Sequence, residues 1–470
     1  MDRSQHMGNK SIGSLLWNFS LPAIVGMSVN ALYNVVDRIF VGRGIGSLAI
    51  AATTVALPLM VVLMAVSILI GVGATALISI RLGEQKKAEA EKIAGNAITM
   101  LIVLPAFFAT LFFIFTEPIL VFCGASPEVL PYARDFTQII MLGAVFGSFS
   151  MGVNNFIRAE GNPRVAMYTQ LLGAVANVVL NYIFIFRFGW GMKGSAFATI
   201  LAQMISAIWV LGYFLTGRSL LKLRLSNLRP AWTILSSIMA IGFAPFGMQI
   251  ASSIQQVILN NTLMVHGGDM ALSAIGIVMS IATLLFMPVL GLAQGAQPII
   301  GFNYGARRYD RVKATWKMAV LAGTAIALAG YLVLHIWPAQ LVGLFSDGDT
   351  ALTTMTIHAM LIYMALIPIA GFQIVSSTYF QAVGKARQAV VLSLSRQVLF
   401  FIPLLLILPR FWGVEGVWRA APLADFLAVS LSATLMYWEM RNLRKNQDEH
   451  TPEEPTEAAA PGNLCGSECE

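Results

Sequence analysis

Charge is what this sequence has least of. Asp, Glu, Lys and Arg make up 11% of its 470 residues, while 57% are hydrophobic and the mean hydropathy is +0.74. Soluble globular proteins carry about a quarter charged residues. Long apolar stretches recur from end to end, so the composition specifies an all-α polytopic membrane protein with no separate soluble domain. Cysteine is also scarce. Cys123, Cys465 and Cys469 give neither a disulfide framework nor metal-ligand spacing, and no resident metal is expected. The first residues lack a compact signal-peptide pattern, so Leu15 onward reads as the first membrane helix. There is no HExxH, no GxSxG within a span, no DDxxD and no Walker A lysine. Their absence argues against a membrane-embedded enzyme and against ATP as the energy source.

The charges that do occur are unevenly placed. The segment from Asn446 to the end holds seven acids, Asp448, Glu449, Glu453, Glu454, Glu457, Glu468 and Glu470, with no base. It reads as part of a disordered tail, 441–470. Apolar runs between polar punctuation give twelve spans, at 14–42, 48–80, 93–116, 132–157, 165–187, 194–216, 232–265, 270–302, 314–338, 352–381, 388–408 and 414–438. Segments on one side of these spans carry 22 Lys and Arg, from Arg3 and Lys10 to Lys445; those on the other carry 5. Basic loops stay on the cytoplasmic side, so both termini are expected there. The positive net charge is explained by this bias, and no nucleic-acid partner is expected.

The chain also repeats itself. A shift of 223 residues lays Pro22 on Pro245 and Asp37 on Asn260, and brings "FIRAEGNPRVAM" onto "YFQAVGKARQAV". A shift of 222 pairs Gly73 with Gly295 and Gly83 with Gly305. Six spans per copy is an even number, so the copies share one orientation about an axis along the membrane normal. The expected plan is a short N-terminal segment (1–13), an N-lobe (14–217), a basic linker (218–231), a C-lobe (232–440) and the tail. Two parallel six-helix bundles in a V-shaped arrangement suit alternating access.

Polar residues inside the spans locate the chemistry. Asn30, Asn34 and Asp37 form an i, i+4, i+7 stripe on the first span. The fifth span carries Asn177 and Asn181 four apart, and the sixth carries Thr199 at matching depth. A carboxylate at membrane depth costs about 2.5–3.5 kcal/mol even on the milder scales, so it normally faces a protein interior or watery cavity. Asp37 with these amides and the hydroxyl suits a proton, or an oxygen cage for Na+. The C-lobe has no copy of this set. Its buried ionisable residues are Arg396 and Asp425, read as an internal ion pair.

Together "LPAIVGMSVNALYNVVDRIFVG", "GLAQGAQPIIGFNYGARRYDRV" and "FIRAEGNPRVAM" resemble the multidrug and toxic compound extrusion (MATE) family, most nearly its bacterial DinF/MepA-like type, over about residues 12 to 440. The resemblance implies an antiporter that exports organic cations, drugs or toxic metabolites, driven by inward H+ or Na+. Asp37 then matches the family's first-helix acid, Asn177 the fifth-helix asparagine and Thr199 the sixth-helix threonine. Pro22 matches a first-helix proline whose kink serves as a hinge in some members. Many members carry an acid where this chain has Asn181, which leaves one carboxylate instead of two. A C-lobe cation site is not expected, because the seventh and tenth spans offer Gln255, Gln256 and Gln373 without a carboxylate. Gln255, Gln256 and Gln294 are the expected lining of a substrate cleft between the lobes, in a protein acting as a monomer. The rival functions are a flippase for a lipid-linked precursor and a transporter-derived receptor without flux. No cofactor other than the coupling ion is expected.

Overall fold

The computed structural model describes residues 7–343 and 350–448, with the side chains of Asn34, Val35, Arg38, Ser47, Asp269 and 444–448 outside the described set. The first six long helices are α1 (Ile12–Gly44), α2 (Ser47–Gly83), α3 (Lys87–Ile114), α4 (Leu130–Ala159), α5 (Pro163–Arg187) and α6 (Gly191–Leu215). The second six are α7 (Trp232–Gly268), α8 (Met270–Gly305), α9 (Tyr309–Ile336), α10 (Thr350–Tyr363 and Ile367–Ala382), α11 (Ala386–Trp412) and α12 (Val414–Asp448). Eleven are each long and apolar enough to cross a bilayer, and the two pieces of α10, bent by 51°, make the twelfth. Helix is what hydrocarbon demands, because each backbone N–H and C=O must be satisfied within its own segment. No strand occurs among the described residues.

Twelve crossings return the chain to the face it left, here called the basic face. The duplication is visible in the backbone itself. Among the described residues, Gln85 and Arg307 are the two non-glycine residues with positive φ, at 62° and 57°. Each stands two places beyond one of the paired glycines, Gly83 and Gly305, in the elbow that follows α2 or α8. One boundary needs correcting. The tail was expected to begin at 441, but α12 runs on to Asp448. Leu443 is buried in the C-lobe core beside Met440, and that packing carries the helix onward. Residues 449–470, with most of the acidic tail, lie outside the described residues.

The lobes meet in the basic-face halves of α1, α2, α7 and α8. A Cβ on Gly83 would stand 2.0 Å from the carbonyl oxygen of Phe302, and one on Gly305 2.1 Å from that of Ile80. Only glycine lets the two backbones approach this closely. Gly291 and Gly295 of α8 likewise receive α1 at Ile24 and Ser20. Pro22 lies between these two contacts, so the break it makes in the α1 hydrogen-bond ladder sits on the seam. Gly305→Leu should force the seam apart. The check is the distance between spin labels at positions 86 and 310, which should lengthen by several ångströms, about the reach of the added side chain.

The linker is no loose tether. A short 3-10 turn, Leu225–Leu228, lies against the N-lobe. Asn96 of α3 donates to the Asn227 carbonyl (3.2 Å) and accepts from the Ala231 amide (2.7 Å), while Thr99 donates to the Leu228 carbonyl (2.7 Å). Just past α4, buried Glu160 accepts from Ser219 Oγ (2.6 Å) and the Leu220 amide (2.8 Å). Burial pushes the Glu160 carboxyl up, against the opposing pull of Ser219, Tyr213 and the Leu220 and Leu221 amides. A carboxyl raised in the folded state gives its stability below the ordinary carboxylate range and loses it as pH rises through the raised value. The thermal midpoint of the wild type should therefore fall more steeply than that of Glu160→Gln as pH rises from acid to neutral.

Candidate functional site

Three N-lobe helices converge on Asp37. The i, i+4 spacing of Asn177 and Asn181 puts both on one side of α5, facing α1 and α6. Asn181 Nδ2 donates to Asp37 Oδ1 at 2.7 Å and to Asn177 Oδ1 at 2.8 Å. Asn177 Nδ2 donates to Thr199 Oγ1 at 3.3 Å, and Thr199 donates to the Ser195 carbonyl at 3.1 Å. The donors run outward from Asn181, one branch ending on the carboxylate and the other on the Ser195 carbonyl. Asn181 is wholly buried and Asn177 is 3% exposed. Tyr33, one helical turn before Asp37, lies within its electrostatic reach. Sequence reading passed over Tyr33 because an aromatic in an apolar helix carries no signal of its own. The side chain of Asn34, the remaining expected member, lies outside the described residues.

The backbone changes character at this point. α5 is α-helical through Asn181 and then winds as a π-helix over Tyr182–Arg187. A wider turn of this kind often accompanies functional sites, because it re-aims side chains that a regular helix would misplace. Asn181 commits both amide protons to the network, and its buried Oδ1 has no partner. One carboxylate and one orphaned carbonyl oxygen thus stand close together. Chemically they can hold a proton on the carboxylate or supply oxygen ligands to a small hard cation.

The other expected residues fall into separate places. Arg396 donates through Nε to Asp425, with Tyr363 beside the pair, and Arg396 sits in a second π-helical stretch, Ser395–Phe401. Its neighbour Gln397 donates to Ser252 Oγ of α7 at 2.7 Å. The three glutamines of the expected cleft do not come together. Gln256 bonds to Asn260 at 2.9 Å on an exposed face of α7, and Gln255 keeps a buried Oε1 without a partner. Gln294 instead accepts from Arg158 Nη1 across the seam at 2.5 Å. Arg158, counted with the loop bases in the sequence, is only 6% exposed. Nearby, Asn154 of α4 and Gln297 of α8 each bury an unpartnered polar atom.

A family model described as MatE matches residues 22–183 and 246–407, one stretch in each lobe. The chain belongs to the MatE family. It is 25% identical over 427 residues to the multidrug export protein MepA of Staphylococcus saprophyticus, covering 91% of this chain and 94% of that one. MepA of Staphylococcus aureus is 26% identical over the same coverage. Among solved structures, a MATE protein in its bent conformation superposes with a TM-score of 0.90 at 24% identity, over 95% of this chain and 99% of that one. A MOP superfamily transporter from Pyrococcus furiosus gives 0.88 at 23%, over 93% and 98%. These superpositions establish the two-lobe MATE fold.

The network's energetics are open to a double-mutant cycle. Asn181→Leu keeps the volume and removes the donor to Asp37, which should cost about 1.5–3 kcal/mol, the range for a hydrogen bond to a charged group. In the Asp37→Asn background the same change should cost less than half as much. Chemical or thermal unfolding in detergent provides the measurement.

Proposed function

We propose that this protein is a multidrug exporter working by antiport, in which inward movement of H+ or Na+ through the Asp37 network drives outward movement of amphipathic or cationic small molecules. The observation that carries the reading is the bond from Asn181 to Asp37 within a buried polar chain of the N-lobe. A carboxylate held by amides can take up a single cation and release it again. The membrane potential contributes about 2.3 kcal/mol per charge per 100 mV to the inward movement of that cation. One carboxylate in the network means one coupling charge per cycle at this site.

Alternating access follows from the two lobes and the seam. The glycine contacts close the basic face, which we place in the cytoplasm on the bias of 22 bases to 5. The closed seam therefore leaves the opposite, external face as the one through which substrate departs. Pro22 breaks the α1 hydrogen-bond ladder on the seam itself, so binding of the ion at Asp37 can alter how α1 packs against α8. The site is that of a transporter and not of an enzyme, and the chain acts as a single copy in the bacterial inner membrane.

Reconstitution in liposomes tests the reading. A cationic dye should move against an imposed pH or Na+ gradient in the wild type and stop in Asp37→Asn, with the mutant still monodisperse in detergent. The gradient that works identifies the ion. Equal gradient-driven transport in the mutant would remove Asp37 from coupling.

A further inference from the structure

Met7–Lys10, in the short segment that leads into α1 of the N-lobe, are bound to the C-lobe. Arg308 Nη1 donates to the Gly8 carbonyl at 2.6 Å and to Asn9 Oδ1 at 3.2 Å. Arg311 Nη2 donates to the Lys10 carbonyl at 2.6 Å and the Met7 carbonyl at 3.2 Å. Asn303, fully buried at the end of α8, also donates to the Met7 carbonyl at 3.1 Å and accepts from Arg311 Nε at 3.0 Å. The Met7 side chain is fully buried in a cluster that holds Leu15 and Phe19 of α1 with Ile299 and Phe302 of α8. Gly8 runs so close to the elbow that a Cβ would stand 3.1 Å from Arg308 Nη1.

We propose that Met7–Lys10 is a latch that holds the basic face closed, with Asn303, Arg308 and Arg311 as its catch. The duplicated elbow shows why only one end of the molecule has such a catch. On the 222-residue shift, Arg308 and Arg311 correspond to Lys86 and Glu89. That elbow is closed on itself: Arg81 pairs with Glu84 at 2.6 Å and with Glu89 at 3.1 Å, and Lys86 pairs with Glu84 at 3.1 Å. In the elbow after α8 the guanidinium groups point to main-chain carbonyls of another lobe instead. The forked geometry of arginine suits several acceptors held at fixed positions, which lysine cannot match. Asn303 is pre-set for the task, since it also donates to the Ile299 carbonyl of its own helix at 2.8 Å. The latch is continuous with α1, the helix that carries Pro22 and Asp37. Parting α1 from α8 on the basic face therefore requires Met7 to leave its pocket and the arginines to give up their carbonyls.

The consequence for transport rests on the alternating-access reading, but the latch itself is read by accessibility alone. The full chain is used, with Cys123, Cys465 and Cys469 replaced by serine and one new cysteine at a time. Ser79→Cys reports the seam, being fully buried and facing Gly301. Ser253→Cys reports the exposed, opposite-face half of α7. Labelling by an impermeant maleimide is followed from each side of membrane vesicles, with Arg311→Ala, Arg311→Lys and Met7→Ala introduced in turn. Arg311→Ala and Met7→Ala should speed labelling at position 79 by about tenfold, as loss of one charge-assisted bond or one buried side chain implies. Labelling at position 253 should slow, and Arg311→Lys should fall between. Unchanged labelling at position 79, or faster labelling at both positions, overturns the latch, the latter because it signals loosening of the whole fold.

Discussion

Asp37 carries its charge into a helix surrounded by hydrocarbon and packed side chains, and the structure is arranged so that it is not alone there. Asn181 gives one amide proton to the carboxylate and the other to Asn177, and Asn177 passes the sequence of bonds to Thr199 and the α6 backbone. An arginine or lysine in that position would form a permanent ion pair, costly to break inside the membrane. The α5 backbone widens into a π-helix immediately beyond these amide donors.

The C-lobe shows the opposite choice. Its Asp425 is held by Arg396, also in a π-helical stretch, and the counterpart of Asp37 is Asn260, which pairs with Gln256. Two copies of one six-helix unit have therefore settled into different electrostatic states. In one the carboxylate of Asp37 accepts from a neutral amide, and in the other that of Asp425 accepts from a guanidinium. Where the copies touch, the contact is made of backbone approaching backbone at glycines, with Arg158 and Gln294 as a buried polar tie.

Much of this was legible in the residues. Twelve spans, their duplication and the depth of Asp37, Asn177, Asn181 and Thr199 all follow from hydropathy, self-similarity and helical spacing. Helical periodicity brings i and i+4 together whatever the tertiary context, so the α5 pair was readable. The π-turn after Asn181 was not, because a single extra residue in a helical turn leaves no compositional mark. The seam was hidden for a different reason: Arg158 resembles any other loop base until the opposing lobe buries it. Met7 is one apolar residue in a polar segment, and only the pocket between α1 and α8 gives it meaning. The extension of α12 to Asp448 likewise depends on where Leu443 lands.

The central claim is that the ion exchanged for substrate binds at Asp37, and calorimetry tests it most directly. Binding of a cationic substrate to detergent-solubilised protein would be titrated in buffers of different ionisation enthalpy, and in the presence and absence of Na+. The account predicts that the wild type gives up about one proton or one Na+ per substrate bound, and that Asp37→Asn binds substrate with no linked ion release. Equal release from both proteins would contradict it, and would place the coupling charge elsewhere in the chain.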